Sequence, residues 1–276
     1  MKIFLTGGTG FVGSHFINYA FSEGYDLICL RRLQSQPRIP LITNPTWIEG
    51  DLGDDFREKM SSCDVLIHLA AHSTNTPYDT LENCIYWNLT ATLKLLQNAR
   101  EAGIKKYLIA GTGFEYGESG EKYELIPVDA PLRPTMSYPA SKAAASIAIY
   151  QWTIEYILKL KYLRIFQVFG EGEDENRLWP SLRKAADSGE DFYLTAGEQI
   201  RDFTPVKEVV KQLIGSLDFS DVIAGKPLFK NIGTNKPQTT REFAEYWWNK
   251  WEAKGQLHFG KIPYRDNEIM NLIPKL

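Results

Sequence analysis

A tyrosine and a lysine four residues apart are the first candidates for chemistry in this chain. They are Tyr138 and Lys142, in the run Tyr138-Pro139-Ala140-Ser141-Lys142, and this spacing places two side chains on one face of a helix. A nearby ammonium favours a phenolate, so Lys142 is expected to lower the pKa of Tyr138. Such a tyrosine can exchange a proton with an oxygen that changes between carbonyl and alcohol.

A threonine upstream is a candidate third member of this group. Thr112 follows the apolar run at residues 107–111 and precedes Gly113 and Phe114. Open α/β sheets bind their ligands at the carboxyl ends of the strands, so the Thr112 hydroxyl is expected at that edge. A Tyr-x-x-x-Lys pattern alone arises often by chance. The prediction of an active site depends on its combination with Thr112 and with a glycine turn near the N-terminus.

The glycine turn has the form G-x-x-G-x-x-G, with Gly7, Gly10 and Gly13 at its glycine positions and Phe11-Val12 between the last two. It joins an apolar run to an amphipathic stretch, which is the strand–turn–helix context that a dinucleotide site requires. Glycines there permit a tight turn and a close approach of the backbone to a pyrophosphate. The positive end of the helix then points at the phosphates.

The end of the second apolar run indicates which dinucleotide is bound. Arg31 and Arg32 stand there, and no carboxylate occurs in residues 27–36. An NAD site normally has Asp or Glu at this point for the ribose 2′-hydroxyl, whereas arginine suits a 2′-phosphate. The sequence therefore favours NADP(H) over NAD.

The elements that must position these residues alternate along the chain. Strands are predicted at residues 3–6, 27–31, 47–49, 65–70, 107–111 and 162–166. Helices are predicted between them at residues 11–23, 56–62, 79–102 and 137–159. Alternating strands and helices indicate βαβ units, and strands that are apolar throughout indicate helices on both faces of the sheet. The predicted fold is α/β, a doubly wound parallel sheet of the Rossmann type.

The pattern changes after residue 169. A polar loop at residues 170–176 is followed by predicted helices at 179–186, 206–217 and 239–253 and predicted strands at 192–195 and 228–232. We therefore expect a cofactor domain at residues 1–169 and a small C-terminal α/β substrate lobe at residues 170–276. Phe243, Trp247 and Trp251 recur at helical spacing, which indicates a buried stripe.

Composition excludes several classes of function. The 276 residues carry 31 Lys and Arg against 34 Asp and Glu, a net charge of −3, which argues against a nucleic-acid partner. Cys29, Cys63 and Cys84 lack metal-ligand spacing, so no metal is expected, and free thiols indicate a reducing compartment. Neither a signal segment nor a membrane-spanning run is recognisable. The expected location is the cytoplasm.

These residues together resemble the extended short-chain dehydrogenase/reductase family, in its NAD(P)-dependent epimerase/dehydratase branch. The resemblance runs nearly from end to end. Besides the motifs already described it is carried by Gly50-Asp51-Leu52, His68-Leu69-Ala70-Ala71, Asn88 with Thr92, LRIFQVFG at 163–170, RDFTPV at 201–206, FKNIG at 229–233 and PYR at 263–265.

The resemblance implies a role for each matching position. Tyr138 would be the general acid/base, Lys142 would hold the nicotinamide ribose and Thr112 would hydrogen-bond the reacting oxygen. The implied cofactor contacts are Gly7, Gly10, Phe11, Val12, Gly13, Arg31, Arg32, Asp51, Leu52, Leu69, Ala70, Ala71, Asn88, Tyr138 and Lys142. The implied substrate contacts are Thr112, Phe114, Gln167, Arg201 and Arg265, with Arg201 pairing to the pyrophosphate of a nucleotide sugar. Gln167 stands where the family usually has Asn.

Departures from the family pattern narrow the reaction. Sugar 4,6-dehydratases carry Asp-Glu directly after the catalytic threonine, where this chain has Gly113 and Phe114. Epimerase-reductases need a Cys and a His as a second acid/base pair, and Cys84 has no matching histidine. Two reactions remain. One is reduction of a nucleotide-linked keto-sugar by NADPH, and the other is 4-epimerisation with tightly bound NAD.

Arg31 and Arg32 favour the reductase, because epimerases usually use NAD. The expected function is therefore reduction of an NDP-4-keto-6-deoxyhexose for deoxysugar and surface polysaccharide (lipopolysaccharide) synthesis. A non-catalytic NADP-sensing regulator is a remote alternative, since such proteins usually lose the Tyr–Lys pair. Family members commonly dimerise through the helices that hold Asn88 and Tyr138, so a homodimer is expected.

Overall fold

The computed structural model describes residues 1–276. Its strands, β1 to β14 in chain order, are Lys2–Thr6, Asp26–Arg31, Thr46–Glu49, Val65–His68, Lys106–Thr112, Lys159–Ile165, Val168–Phe169, Phe192–Tyr193, Ile200–Asp202, Thr204–Pro205, Leu228–Ile232, Pro237–Thr239, Leu257–His258 and Asn271–Leu272. Its α-helices, α1 to α8, are Phe11–Ser22, Arg57–Met60, Leu81–Ile85, Thr92–Glu101, Ser137–Glu155, Leu178–Ser188, Val206–Gly215 and Thr240–Lys250. A π-helical segment, Tyr86–Ala91, joins α3 to α4, and 3₁₀ turns occupy Gly113–Tyr116 and Glu118–Lys122.

A seven-stranded sheet forms the centre of the molecule. Its strand order is β11-β6-β5-β4-β1-β2-β3, and every neighbouring pair is parallel. Ile3 and Leu5 pack into an apolar cluster with α1 and α7 on one face, while Phe4 packs with α4 and α5 on the other. Because successive side chains of a strand point to opposite faces, β1 contributes to both cores. The predicted doubly wound Rossmann-type sheet is confirmed.

The structure changes some predicted element ends. β4 ends at His68 and not at residue 70. α5 ends at Glu155 and not at residue 159, because the chain reverses at Ile157, whose φ is +52°, and enters β6. The long helix predicted at residues 79–102 is α3, the π-helical segment and α4 in succession.

The boundary expected at residue 169 also needs correction. β11 pairs with β6 along the central sheet, from Leu228 opposite Lys161 to Ile232 opposite Ile165. α7 packs against α1 in the same core as β1. β6 is buried along its length and would otherwise expose an unpaired edge. Residues 206–232 therefore pack with residues 1–169 around the central sheet, and the remaining residues, 170–205 and 233–276, form the small lobe.

The small lobe has its own apolar core. Phe243 and Trp248 on α8 are buried, and Trp247 and Trp251 pack beside them against Trp179 and Phe203. The predicted aromatic stripe is thus core. The lobe also contains two small sheets, whose strand orders are β12-β9-β14 and β13-β8. The structure has no helix that is both long and apolar enough to cross a membrane.

Candidate active site

One cleft at the carboxyl end of the central sheet brings most of the predicted site residues together. Its volume is about 680 Å³. The predicted residues that line it are Gly7, Gly10, Phe11, Val12, Gly13, Arg31, Arg32, Asp51, Leu52, Leu69, Ala70, Ala71, Thr112, Phe114, Tyr138 and Lys142. Four other predicted residues, Asn88, Gln167, Arg201 and Arg265, do not line this cleft.

The glycine turn forms a cradle that only glycine can build. A Cβ on Gly13 would lie 2.0 Å from the Gly7 carbonyl oxygen, and a Cβ on Gly7 would lie 2.5 Å from the Ala70 nitrogen. Gly7 also has φ of +81°, a conformation that L side chains rarely adopt. Gly10 precedes α1 with no side-chain cap, so the first N–H groups of the helix remain available for phosphate. This cradle fits the pyrophosphate of a dinucleotide.

The end of β2 presents basic side chains to the same cleft. Arg31 donates to the Glu49 carboxylate at 2.9 Å, and its Nε is buried without a partner. Glu49 is the register partner of Arg31 on β3, an ion pair between strands that the sequence alone did not indicate. Arg32 is exposed and lines the cleft. Arg38, in the loop after β2, adds a third guanidinium that the sequence analysis missed.

Thr112, Tyr138 and Lys142 all line the cleft. Thr112 ends β5 and caps the 3₁₀ turn that follows, accepting a hydrogen bond from the Phe114 N–H at 3.3 Å. Tyr138 and Lys142 lie in the first two turns of α5 and are 8% and 3% exposed. The hydroxyl, the phenol and the ammonium therefore belong to residues of one cleft.

The electrostatics of Tyr138 differ from the expectation. Burial raises the pKa of Tyr138 above its usual value, and the nearby Glu115 carboxylate raises this pKa further. Burial also lowers the pKa of Lys142, with Glu115 opposing that change. The predicted lowering of the tyrosine pKa by Lys142 is thus wrong for the protein without ligands. Tyr138 is a neutral phenol there, which is the form that donates a proton.

Glu115 is a fully buried carboxylate beneath the site. It accepts hydrogen bonds from the Thr112 N–H at 2.9 Å, from the Tyr162 hydroxyl at 2.9 Å and from Arg164 Nε at 2.8 Å. Arg164 is itself buried and forms an ion pair with Glu115. Sequence analysis missed this residue, since only tertiary structure shows that an acidic residue in a 3₁₀ turn is buried. Glu115 fixes the end of β5 and hence the position of Thr112.

Loss of this carboxylate is expected to destabilise the protein strongly. Glu115→Ala leaves Arg164 buried without its charge partner, and breaking a buried pair in this way costs about 3–5 kcal/mol. Urea denaturation measures the change. Glu118→Ala, at an exposed position three residues away, serves as the control and should have little effect. A loss below about 1 kcal/mol for Glu115→Ala, the range typical of exposed ion pairs, would contradict a structural role for the pair.

Asn88 lies behind the cleft wall and not on it. Its Oδ1 accepts from the His72 N–H at 2.7 Å, and its Nδ2 donates to the His72 carbonyl at 3.1 Å and to Ser141 Oγ at 2.9 Å. The expected cofactor contact is therefore replaced by a tether between the loop after β4 and α5. Asn88 lies in the π-helical segment, which the sequence analysis did not predict.

Arg201 does not face the cleft either. Its guanidinium is buried and donates to the carbonyls of Ile200, Met270 and Ile269, and it forms an ion pair with Glu268 at 3.2 Å. The predicted pairing of Arg201 with a substrate pyrophosphate is therefore corrected, because its donors are occupied by the C-terminal segment.

Gln167 and Arg265 also lie outside the main cleft. The Gln167 carbonyl accepts from the Thr204 N–H at 2.7 Å, and the side chain does not line the cleft. Arg265 donates to Thr76 Oγ1 at 3.2 Å. It lines an adjoining pocket of about 600 Å³ that shares Tyr78 with the cleft.

Besides Arg38, the sequence analysis also missed Tyr78, Glu173 and Arg177 in the cleft. The Tyr78 ring lies 5.5 Å from that of Tyr138, centroid to centroid, and Glu173 and Arg177 line the wall near them. Glu173 lies in the polar loop at residues 170–176, and Arg177 follows that loop directly before α6. The signal available in the sequence was the spacing of four residues between Glu173 and Arg177, which form an i,i+4 ion pair.

Comparison with known proteins identifies the family of this chain. The sequence model of the NAD dependent epimerase/dehydratase family matches residues 3–227. The chain is 27% identical to UDP-glucose 4-epimerase of Corynebacterium glutamicum over 266 residues, which cover 89% of this chain and 79% of that protein. It is 23% identical to dTDP-6-deoxy-L-talose 4-dehydrogenase (NAD(+)) of Aggregatibacter actinomycetemcomitans, with 98% of each chain covered.

A solved structure with the same fold is UDP-glucose 4-epimerase of Thermotoga maritima with UDP-glucose. Its TM-score is 0.87 at 24% identity, and the superposition covers 100% of this chain and 90% of that one. At this level of identity the likeness concerns the fold.

Proposed function

The chain belongs to the NAD dependent epimerase/dehydratase family, and on this basis we propose that it is an NADPH-dependent reductase of a nucleotide-linked 4-keto-6-deoxyhexose. Membership in the family makes it an oxidoreductase of the extended short-chain dehydrogenase/reductase type that acts with a pyridine nucleotide. The substrate, the direction of the reaction and the choice of NADP(H) are our proposal.

The observation that carries the proposal is the convergence of Thr112, Tyr138 and Lys142 with Tyr138 held as a phenol. A bound nicotinamide coenzyme supplies hydride to the keto carbon or removes it. Tyr138 donates its proton to the oxygen as the carbonyl becomes an alkoxide, and Thr112 orients that oxygen through its hydroxyl. Burial raises the pKa of Tyr138, so the side chain is a phenol at neutral pH and has a proton to donate.

Lys142 has two tasks in this scheme. Its ammonium lines the cleft and makes no hydrogen bond within the chain, so it is available to a ribose hydroxyl. It also keeps a positive charge near Tyr138 when the phenol has given up its proton, and an opposite charge stabilises the phenolate. The electrostatic benefit of Lys142 is therefore realised during the proton transfer.

NADP(H) is supported by the cations at the end of β2. Arg31, Arg32 and Arg38 line the cleft there, and Glu49 does not, so the carboxylate near Arg31 is not placed to receive a ribose hydroxyl. Guanidinium groups pair well with phosphate.

The second candidate is a nucleotide-sugar 4-epimerase with tightly bound NAD. The observation that favours it is the similarity to UDP-glucose 4-epimerase of Corynebacterium glutamicum, at 27% identity over 89% of this chain. The name of the second relative, a 4-dehydrogenase matched along 98% of both chains, favours net oxidation or reduction at a sugar 4-position.

A substrate panel tests the proposal. The purified protein is given NADPH with dTDP-, CDP-, GDP- and UDP-4-keto-6-deoxyhexoses, and separately UDP-glucose without added cofactor. We expect NADPH to be consumed with at least one keto-sugar. Conversion of UDP-glucose to its 4-epimer without cofactor consumption would replace the reductase by the epimerase.

We further propose that the protein is a cytoplasmic homodimer that pairs through α5. Ile147 is 64% exposed on this helix, and Tyr150 and Ile154 lie exposed one and two turns later. Such a stripe at helical spacing indicates a contact surface. Light scattering of Ile147→Asp should give monomers where the wild type gives dimers, and a monomeric wild type would refute the dimer.

A further inference from the structure

The segment between β7 and α6 carries two charged side chains that the reaction scheme does not use. They are Glu173 and Arg177, and both line the cleft. The segment is fixed on the cofactor side by the Glu171 carbonyl, which contacts the His15 ring at 2.8 Å, and by Asp174, which pairs with Arg38 at 3.5 Å. Arg177 immediately precedes α6. Both side chains therefore project from a segment held at its two ends.

Glu173 is a buried carboxyl group with one free oxygen. Its side chain is 5% exposed, and Oε1 accepts from Arg177 Nε at 3.4 Å. Oε2 is buried and has no partner. Buried polar atoms in native proteins are nearly always paired, so an unpaired one in the wall of a cleft indicates that a ligand supplies its partner.

Arg177 supplies a guanidinium group next to the Glu173 carboxyl group. Its Nε donates a hydrogen bond to Glu173, whereas its two terminal amino groups make no hydrogen bond within the chain. Its charge acts on Tyr78 and Tyr138, so it lies on the catalytic side of the cleft. The other guanidinium groups of the cleft, Arg31, Arg32 and Arg38, belong to β2 and the loop after it. Arg177 is thus the guanidinium of the cleft that is near the catalytic tyrosine.

We propose that Arg177 and Glu173 together receive the diphosphate of the nucleotide sugar, Arg177 through its terminal amino groups and Glu173 through a hydrogen bond from its protonated carboxyl group. A guanidinium fork matches phosphate oxygens. The helix start at Gly10 serves the phosphates of the cofactor, so the two diphosphates have separate sites. The inference depends on the proposed function, because it takes the substrate to be a nucleotide sugar.

The pH dependence of binding follows from the neighbours of Glu173. Burial raises the pKa of Glu173 to about 7 and Asp174 adds to this change, whereas Arg177 and the backbone of Gly170 oppose it. The segment itself also carries Glu171 and Glu175. The charged or titratable groups beside it include Arg38, which pairs with Asp174, His15, and Tyr78 across the cleft. Protonated Glu173 can donate to a phosphate, whereas the carboxylate repels it. Binding of the diphosphate should therefore take up a proton and should weaken as the pH rises through about 7.

Titration calorimetry with UDP-glucose tests the site. This ligand is a diphosphate diester that does not itself titrate near neutral pH, and buffers of different ionisation enthalpy report the proton uptake. Affinities are measured from pH 6 to 8.5 for the wild type, Arg177→Gln and Glu173→Gln. Arg183→Gln is the matched control, since Arg183 has an i,i+4 acidic partner on α6 but is exposed.

Arg177→Gln should bind UDP-glucose about 10- to 100-fold more weakly at every pH and should bind NADPH normally. Glu173→Gln keeps a hydrogen-bond donor, so it should bind at pH 8.5 about as tightly as the wild type does at pH 6, without proton uptake. Arg183→Gln should match the wild type.

Unchanged UDP-glucose affinity in folded Arg177→Gln, or an equal loss of NADPH affinity, would overturn the assignment. Persistent proton uptake in Glu173→Gln would overturn the role of Glu173. These results are distinct from failure of the reductase proposal. If no keto-sugar is reduced but Arg177→Gln weakens UDP-glucose binding, the diphosphate site stands. A wild type that binds no nucleotide sugar would refute both.

Discussion

Tyr138→Phe is expected to fold and to bind NADPH like the wild type but to lose turnover by about 10²–10⁴-fold, the usual contribution of general acid catalysis. The substitution removes the hydroxyl and keeps the ring that packs beside Tyr78. The measurement pairs steady-state NADPH oxidation with a binding titration of NADPH, so that a loss of chemistry is separated from a loss of cofactor.

Two companion variants make this result specific. Lys142→Met should lower turnover and also weaken NADPH binding, because the ammonium is proposed to hold the ribose. Thr112→Ala should be milder, since it removes one neutral hydrogen bond of about 0.5–1.5 kcal/mol. Tyr78→Phe is the matched control, a second cleft tyrosine changed in the same way. Near wild-type turnover of Tyr138→Phe would mean that Tyr138 is not the acid, and the mechanism would have to be abandoned.

Replacement of both Arg31 and Arg32 by Ala is expected to weaken NADPH binding by about 10²–10⁴-fold and NADH binding far less. Each charge-assisted hydrogen bond to the 2′-phosphate contributes about 1.5–3 kcal/mol, and each 1.4 kcal/mol is a factor of ten in affinity. Isothermal titration with the two cofactors measures the difference.

The Arg31–Glu49 ion pair supplies the control for this double variant. Glu49→Gln removes the competing carboxylate, which Arg31 contacts at 2.9 Å, so it should leave NADPH binding intact or strengthen it. Equal losses for NADPH and NADH in the arginine variant would show that the two arginines do not bind the 2′-phosphate, and a preference of the wild type for NADH would contradict the choice of NADP(H).

The parts of the fold that the sequence predicts are those with local signals. Apolar runs identified β1, β2, β3 and β5 nearly to the residue, and the spacing of Gly7, Gly10 and Gly13 located the cradle. β11 could be predicted as a strand, but its place beside β6 could not, because 62 residues separate Ile165 from Leu228 along the chain. Pairing between distant strands depends on which edge remains open after the rest of the sheet has formed.

The site residues with a local signal could likewise be predicted from the sequence. Tyr138, Lys142 and Thr112 carry their signal in spacing and order, and the structure brings them together. Arg201 has the right chemistry for a pyrophosphate, but Met270 and Ile269 occupy its donors from a distant part of the chain. Burial and the charge of Glu115 raise the pKa of Tyr138, and neither effect has a local sequence pattern.

The central claim is that the protein reduces its substrate with net consumption of NADPH, and isotope transfer tests it most directly. NADPH carrying deuterium at the nicotinamide C4 is incubated with the keto-sugar nucleotide that the panel identifies, and the product is analysed by mass spectrometry and NMR. The reductase predicts one deuterium on the new alcohol carbon for each NADPH oxidised, and incorporation about 10²–10⁴-fold slower with Tyr138→Phe. A converted sugar that contains no deuterium while the NADPH stays reduced would contradict the reductase and indicate an epimerase.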